Sequence, residues 1–257
     1  IDNSIKMAEM VYQERQTREE KLKKESEEKL LNWVPKTELG KLVKEGKITD
    51  IDQIFSLRYK IKEPEILDYL CPNSTLELLN IGQVKGKFGG GKRRTFRQTQ
   101  KKTKEGNKPS FSTYAVFGNE NGYVGLGYGK SRETIPAREK AYRNAKINLI
   151  KIRRGSGSWE DDSIEPHSIP FKISGQCSSV HVELLPAPLG TGLVCHKEVA
   201  KVLKAAGIKN IRSNIRGNSS SAINLLKALE KALMMLTKTK INESHIEKLG
   251  IVDGIIK

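Results

Sequence analysis

Three glycines in alternate positions, Gly125, Gly127 and Gly129, run straight into a helix-forming segment that repeats alanine every fourth residue. The stretch is GYVGLGYGKSRETIPAREKAYRNAKINLI, residues 122 to 150. Glycine inside a strand signals the close approach of another backbone or of a ligand. Ala137, Ala141, Ala145 and Leu149 share one helical face, and an alanine stripe of this kind packs close to a sheet. Thr134 is placed to cap the helix and Pro136 suits its first turn. Upstream, the apolar and aromatic residues from Phe111 to Phe117 supply a partner strand for Tyr123 to Tyr128. Asn121 and Gly122 offer the positive φ angles of a tight reversal. With a short strand expected in LNIGQV, a unit of three strands and a helix follows over residues 78–153, resembling part of a double-stranded-RNA-binding domain.

A polar linker, residues 154–168, separates this unit from a second. There IPFKIS and SSVHVELL alternate apolar and polar positions, giving two half-buried strands joined at Gly175. KEVAKVLKAAG places Val199, Val202, Leu203 and Ala206 on one helical face and stops at Gly207. A strand near Ile208 to Arg212 and a helix capped by Ser219 to Ser221 complete an α+β domain over residues 169–240. In that last helix Met234 and Met235 read as core filler. The tail, 241–257, shows no assignable pattern.

Residues 1–77 read as a helical N-terminal extension. TREEKLKKESEEKL pairs opposite charges at i,i+4, which suits an exposed helix over 1–32. An arm bound to RNA or a partner and a merely solvated helix fit it equally. Trp33 and Pro35 end that helix, and Leu39, Leu42 and Val43 mark an amphipathic turn. A helix begins at Asp50, with Gln53 reaching back as in a capping box, and another covers 63–70. These pieces look wrapped onto a domain.

Between the first two strands lies GKFGGGKRRTFRQTQKKTKEGNKP. Gly86, Gly91 and Lys92 have the spacing of a phosphate loop, yet Arg93 stands where a Ser or Thr would ligate magnesium. From Lys85 to Lys108 there are ten basic residues and one acidic residue, Glu105. Such a loop repels itself and should order only against phosphates, with Phe88 and Phe96 available for stacking on bases. The chain as a whole agrees: 46 Lys plus Arg against 30 Asp plus Glu give a formal charge of +16. That balance calls for a polyanion.

Other classes find little support. No apolar run reaches the length of a membrane span and no signal-peptide pattern appears, although a chain starting at Ile1 can lack a native leader. Cys71, Cys177 and Cys195 are too scattered for a disulfide framework or zinc cluster, which suits a reducing compartment. His167, His181, His196 and His245 lack metal-ligand spacing and read as surface or interface histidines. PAPLGTGLV resembles the glycine loop of small-molecule kinases, but Leu193 and Val194 stand where serines are needed. No catalytic residue, metal site or cofactor is expected.

Residues 122–155, PHSIPFKISGQCSSVHVELLPAPLGTGLV (166–194) and AGIKNIRSNIRGNSSSAINLLKAL (206–229) together resemble ribosomal protein five of the small subunit. WVPKTELGKLVKEGKI adds a likeness to the archaeal and eukaryotic branch. The resemblance implies a double-stranded-RNA-binding-like domain followed by a βαβ-type domain, in a cytoplasmic protein of the small ribosomal subunit with no enzymatic activity. It implies contact with small-subunit ribosomal RNA near the channel by which messenger enters, and a role in decoding accuracy. Small-subunit proteins three and four would be its neighbours, with no membrane and no second copy of itself. In this family the basic loop reaches ribosomal RNA, which carries over to Gly90, Gly91, Lys92, Arg93 and Arg94. RQTQKKTKEGNK lengthens that loop and adds Arg97, Lys101, Lys102 and Lys104. Lys85 and Lys87 are further RNA-binding candidates; Lys130, Arg132, Arg153 and Arg154 are weaker ones, since each flanks an element end where a basic side chain can simply reach water, and the same holds for Arg212 and Arg216. An RNA-binding assembly factor outside the mature ribosome would share every one of these basic patches.

Overall fold

A computed structural model describes residue 28 and residues 30–83 and 93–255. The first sheet is built on β3 (Gly106–Gly118), which pairs antiparallel with β4 (Tyr123–Ser131) on one side. On its other side, β1 (Thr75–Leu79) pairs with the inner half of β3 and β2 (Arg97–Thr103) with the outer half. β5 (Leu149–Lys151) closes the far edge against β4. β1 therefore starts ahead of the strand expected in LNIGQV. Residues 80 to 83 instead turn back on the root of the basic segment, where Gly82 N donates to the Arg94 carbonyl at 2.7 Å.

The helix following β4, here α4 (Thr134–Ile147), lies directly on the glycines. A Cβ on Gly125 would sit 2.0 Å from the Ala145 carbonyl oxygen, and one on Gly129 would sit 2.1 Å from that of Ala137. Alternate glycines and i,i+4 alanines are thus two halves of one contact, which resolves the choice between backbone and ligand in favour of backbone. Glu133, rather than Thr134, holds the N-cap position, and its side chain makes no capping bond. In the β3–β4 turn the left-handed φ angles belong to Glu120 and Gly122, while Asn119 Oδ1 accepts from the backbone N–H groups of Asn121 and Tyr123.

The extension packs on the same side. It contains α1 (Glu38–Lys44), α2 (Ile51–Ser56) and α3 (Glu65–Leu70). Trp33, Val43, Ile51, Ile54, Ile66 and Leu67 share a core with Phe117, Tyr123, Ala141 and Ala145. Glu63 organises the entry to α1: it accepts from Trp33 Nε1 and from the N–H groups of Lys36 and Thr37. Asp50 is the N-cap residue of α2 but makes no capping bond there, and Gln53 reaches back to Thr49 N. The expected charged helix over 1–32 lies almost wholly outside the described residues.

The second sheet has the order β7 (Ile173–Cys177), β8 (Val180–Pro186), β10 (Ile211–Arg216) and β9 (Leu193–Val194). β9, α5 (Lys197–Ala205) and β10 form the βαβ unit, since β9 and β10 run parallel. Gly207, at φ +83°, closes α5 with the paired bonds Ile208 N to Leu203 O and Gly207 N to Lys204 O. Gly175 lies inside β7 rather than between two strands, because α6 (Ala222–Lys238) leaves no room there: a Cβ would meet the Ala228 carbonyl at 2.2 Å. Ser178, at φ +56°, makes the turn to β8.

One core spans both units. Leu79, Val116, Val124, Leu126 and Ile152 on the back of the first sheet pack with Val199, Val202, Leu203, Leu225 and Leu229. Covering both faces explains why β3 is buried without interruption from Ser112 to Gly118. The 154–168 segment is a boundary in the chain and not in the core. His167, expected at a surface or an interface, is buried within it, bonding Asp161 Oδ2 through Nε2 at 2.8 Å and Asn210 Nδ2 through Nδ1 at 3.0 Å. The tail also has structure: α7 (Glu243–Lys248) leads to β11 (Val252–Asp253), which pairs with β6 (Arg153–Arg154). Its apolar positions follow no sustained helical or strand period, so the sequence did not show this.

Candidate nucleic-acid interface

The basic segment between the first strands divides in two. Lys85, Lys87, Gly90, Gly91 and Lys92 lie outside the described residues, as does Phe88. From Arg97 onward the expected unstructured loop is instead a β-hairpin, in which Gly106, at φ +116°, permits the reversal after Glu105. β4 supports β3 only as far as Phe111, opposite Ser131. Beyond that point β2 and β3 form a two-stranded ribbon ending at the pair Thr103 and Gly106. At the usual rise of about 3.3 Å per residue the ribbon stands roughly 17 Å clear of the sheet.

Lys101, Lys102, Lys104 and Lys108 are exposed along it and Arg97 is exposed at its base, opposite Ser112, while Lys101 faces Lys108 directly across the ladder. Opposed like charges destabilise a strand pair, and a lone hairpin is marginal to begin with. Among the described residues, the ribbon's one ion pair is Lys108 with Glu105 at 3.0 Å. The ribbon's charge is therefore left for an external anion.

At its root, Arg93 Nη1 donates to the Ser220 carbonyl at 2.8 Å, tying the segment to the turn before α6. A cleft of about 410 Å³ opens there between Arg93, Arg97, Gln83, Asn218 and Ser221. On the other side of Arg93, Arg94, Phe96, Gln98 and Phe111 line a cleft of about 570 Å³. Guanidinium groups beside half-buried aromatic rings are the ingredients for phosphate contact and base stacking. Phe111 was hidden in the sequence because it reads as one more apolar residue of a strand. Lys130 and Arg132, both exposed at the outer end of β4, lie on the same end of the sheet.

Arg153 and Arg154 do not join this group. They lie at the opposite end of the sheet, and both point inward for structural reasons. Arg153 donates to both carboxylate oxygens of Asp253, and through Nη1 to the carbonyls of Leu236 and Thr239 at the end of α6. Arg154 is 3% exposed and donates through Nη2 to Asn121 Oδ1 and the Gly254 carbonyl. Arg212 is turned toward Glu160 at 3.5 Å, while Arg216 is exposed.

The two arms of the root are held by a network between the halves of the molecule. Glu198, buried on α5, accepts from both the backbone N–H and the side-chain amide of Asn80, and Thr95 Oγ1 donates to Asn80 Oδ1. Among the described residues, no group of three or more His, Cys, Asp or Glu side chains is placed to hold a metal. No described helix is long and apolar enough to cross a membrane. The Cys195 thiol is pushed up to about 11 by burial, which keeps it protonated and unreactive near neutrality.

Comparison with known sequences matches the same two units. Residues 95–153 fit the family described as ribosomal protein S5, N-terminal domain, and residues 175–245 fit ribosomal protein S5, C-terminal domain. Small ribosomal subunit protein uS5 of Nanoarchaeum equitans is 44% identical over 87% of this chain and 96% of its own length. The corresponding protein of Pyrobaculum arsenaticum is 45% identical over 78% of this chain and 92% of its own. That of Methanocaldococcus jannaschii is 43% identical over 86% and 95%. With both halves of the fold matched in order and nearly the full length of these archaeal proteins covered, the chain belongs to the ribosomal protein S5 family.

Proposed function

We propose that this protein is a structural constituent of the small ribosomal subunit in the cytoplasm, and that the β2–β3 ribbon is its principal contact with small-subunit ribosomal RNA. The observation that carries this reading is the ribbon itself: a two-stranded projection with lysines on facing strands, standing free of the sheet that anchors it. Phosphates supply the counter-charge the ribbon lacks. Arg93, Arg94, Arg97, Lys101, Lys102, Lys104, Lys130 and Arg132 make these contacts, together with Lys85, Lys87, Gly90, Gly91 and Lys92. Arg153 and Arg154 are withdrawn from the set, because they lie at the far end of the sheet, where Arg153 and the Nη2 of Arg154 tie the tail to the fold.

Within the subunit the family resemblance supports a position near the channel by which messenger enters, beside small-subunit proteins three and four. Decoding accuracy then depends on this protein through position, since the shared core fixes the arm relative to the rest of the molecule. The role is binding and placement, with no reaction catalysed. Sedimentation of a tagged copy through a sucrose gradient, before and after a high-salt wash, tests the assignment. One copy per mature small subunit, retained after the wash and present in polysomes, is expected. Recovery only in light fractions or immature particles would instead identify an assembly factor.

A further inference from the structure

Arg154 is a buried cation without a buried anion. Its side chain is packed between β6, the β3–β4 turn and the tail, and among the described residues no carboxylate lies within ion-pair distance of it. Its Nη2 donates to two neutral oxygens, at 2.6 Å to Asn121 Oδ1 and 3.0 Å to the Gly254 carbonyl. Nε is buried with no acceptor among the described residues. Desolvation without a counter-charge pulls the guanidinium below its usual range. Burying a charge in this way is costly unless something pairs with it.

Arg154 also lines an open cleft of about 630 Å³, between the turn at Glu120 and Asn121, the linker at Glu165, Pro166 and His167, and the end of α5 at Lys204, Gly207 and Lys209. Nη1 lies against the Gly207 wall, where even a Cβ would approach it to 2.9 Å. The Glu120 carbonyl oxygen lies closer still, 2.1 Å from the same position, so Gly207 makes room for the backbone of the β3–β4 turn beside the guanidinium, and Arg154 meets the cleft as part of its lining. Lys204 and Lys209 add positive charge near the mouth, whereas Leu193, Pro166 and Ile208 make much of the wall apolar.

We infer that this cleft is a docking site for a single carboxylate, presented by an Asp or Glu side chain or a chain terminus of a neighbouring protein. Two features favour a carboxylate over an RNA backbone. Glu120 and Glu165 flank the cleft and would repel a run of phosphates while tolerating one anionic group on an apolar stem. The site also lies at the far end of β3 from the basic ribbon, about 40 Å away at ordinary strand rise. The face that meets RNA and the face that receives this partner are therefore opposite ends of one strand pair.

The test uses the full-length protein with arginine labelled at its side-chain nitrogens, followed by magnetic resonance. Acetate should shift the Arg154 guanidinium signals saturably, and inorganic phosphate should do so at least threefold more weakly. Arg154→Gln would cut the tie to Gly254 and endanger the fold, so the variant is Lys204→Gln with Lys209→Gln, which should weaken acetate binding threefold or more at low salt. In a density map of the intact small subunit, a carboxylate of a neighbouring protein should occupy the cleft. No saturable shift, an equal or stronger response to phosphate, or a cleft holding only water, a small-molecule anion or an RNA phosphate would each overturn the proposal.

Discussion

Replacing Lys101, Lys102 and Lys104 with glutamine removes three charges from the ribbon while leaving its ladder intact. Each side chain is exposed or nearly so and each lies beyond the support of β4, so the folded body should not register the change. The ribbon should gain slightly, since the Lys101 to Lys108 opposition disappears. Each phosphate contact contributes about 0.7 to 0.9 to the slope of log affinity against log salt, so losing three makes the slope shallower by roughly 2 to 2.7. Between 50 and 200 mM salt the gap in affinity between the original and altered proteins should then close by roughly 20- to 40-fold. Fluorescence anisotropy with small-subunit ribosomal RNA over that range measures it, with thermal denaturation as the control for folding. Parallel salt plots for the two proteins would refute the placement of these lysines on phosphates, whatever their absolute affinities.

Other consequences follow from the same structure. Gly127→Ala should destabilise the protein by about 3 kcal/mol in urea titration, because the new Cβ would lie 2.1 Å from Ala145 N and 2.2 Å from the Ala141 carbonyl, and backbone cannot step aside. Asp161 is held down at about 2, first by the backbone N–H of Ser163 and then by Ser163 Oγ, His167 and Leu189 N. A depressed carboxylate stabilises the fold above its unfolded value and loses that contribution as pH falls toward 2, so acid titration of Asp161→Asn should show a flatter stability profile between about pH 4 and 2 than the original. Arg153→Ala should release the tail, seen as faster hydrogen exchange over residues 243–254, because the fork to Asp253 and the ties to Leu236 and Thr239 vanish together.

What the sequence showed was local, and what it hid was pairing at a distance. Strand and helix over 111–147 could be read from glycine spacing and alanine periodicity, because those patterns record one contact within a short stretch. The RNA-facing end was legible as charge, while its shape was not. RQTQKKT has no apolar alternation, and its strand exists because β3 extends beneath it. Arg153 and Arg154 looked like any basic pair at an element end. Their partners Asp253 and Gly254 lie a hundred residues away, in a tail with no period of its own. Glu198 was equally silent, since its acceptance of Asn80 spans the two halves. Even the turn at Asn121 and Gly122 was read only halfway, with Glu120 taking the left-handed position assigned to Asn121.

The core that crosses between the halves has a consequence for the newborn chain. When β1 to β5 have left the peptidyl-transferase centre, the back of their sheet still exposes Leu79, Val116, Val124, Leu126 and Ile152. Its cover arrives only with Val199 to Leu203 on α5 and Leu225 to Leu236 on α6. At ordinary elongation rates of about 5 to 20 residues per second, that interval lasts several seconds to a quarter of a minute. For that time an apolar sheet hangs from a strongly basic polypeptide in a compartment full of RNA, so the nascent protein is most vulnerable to aggregation after its first half is made and before its second half can shield it.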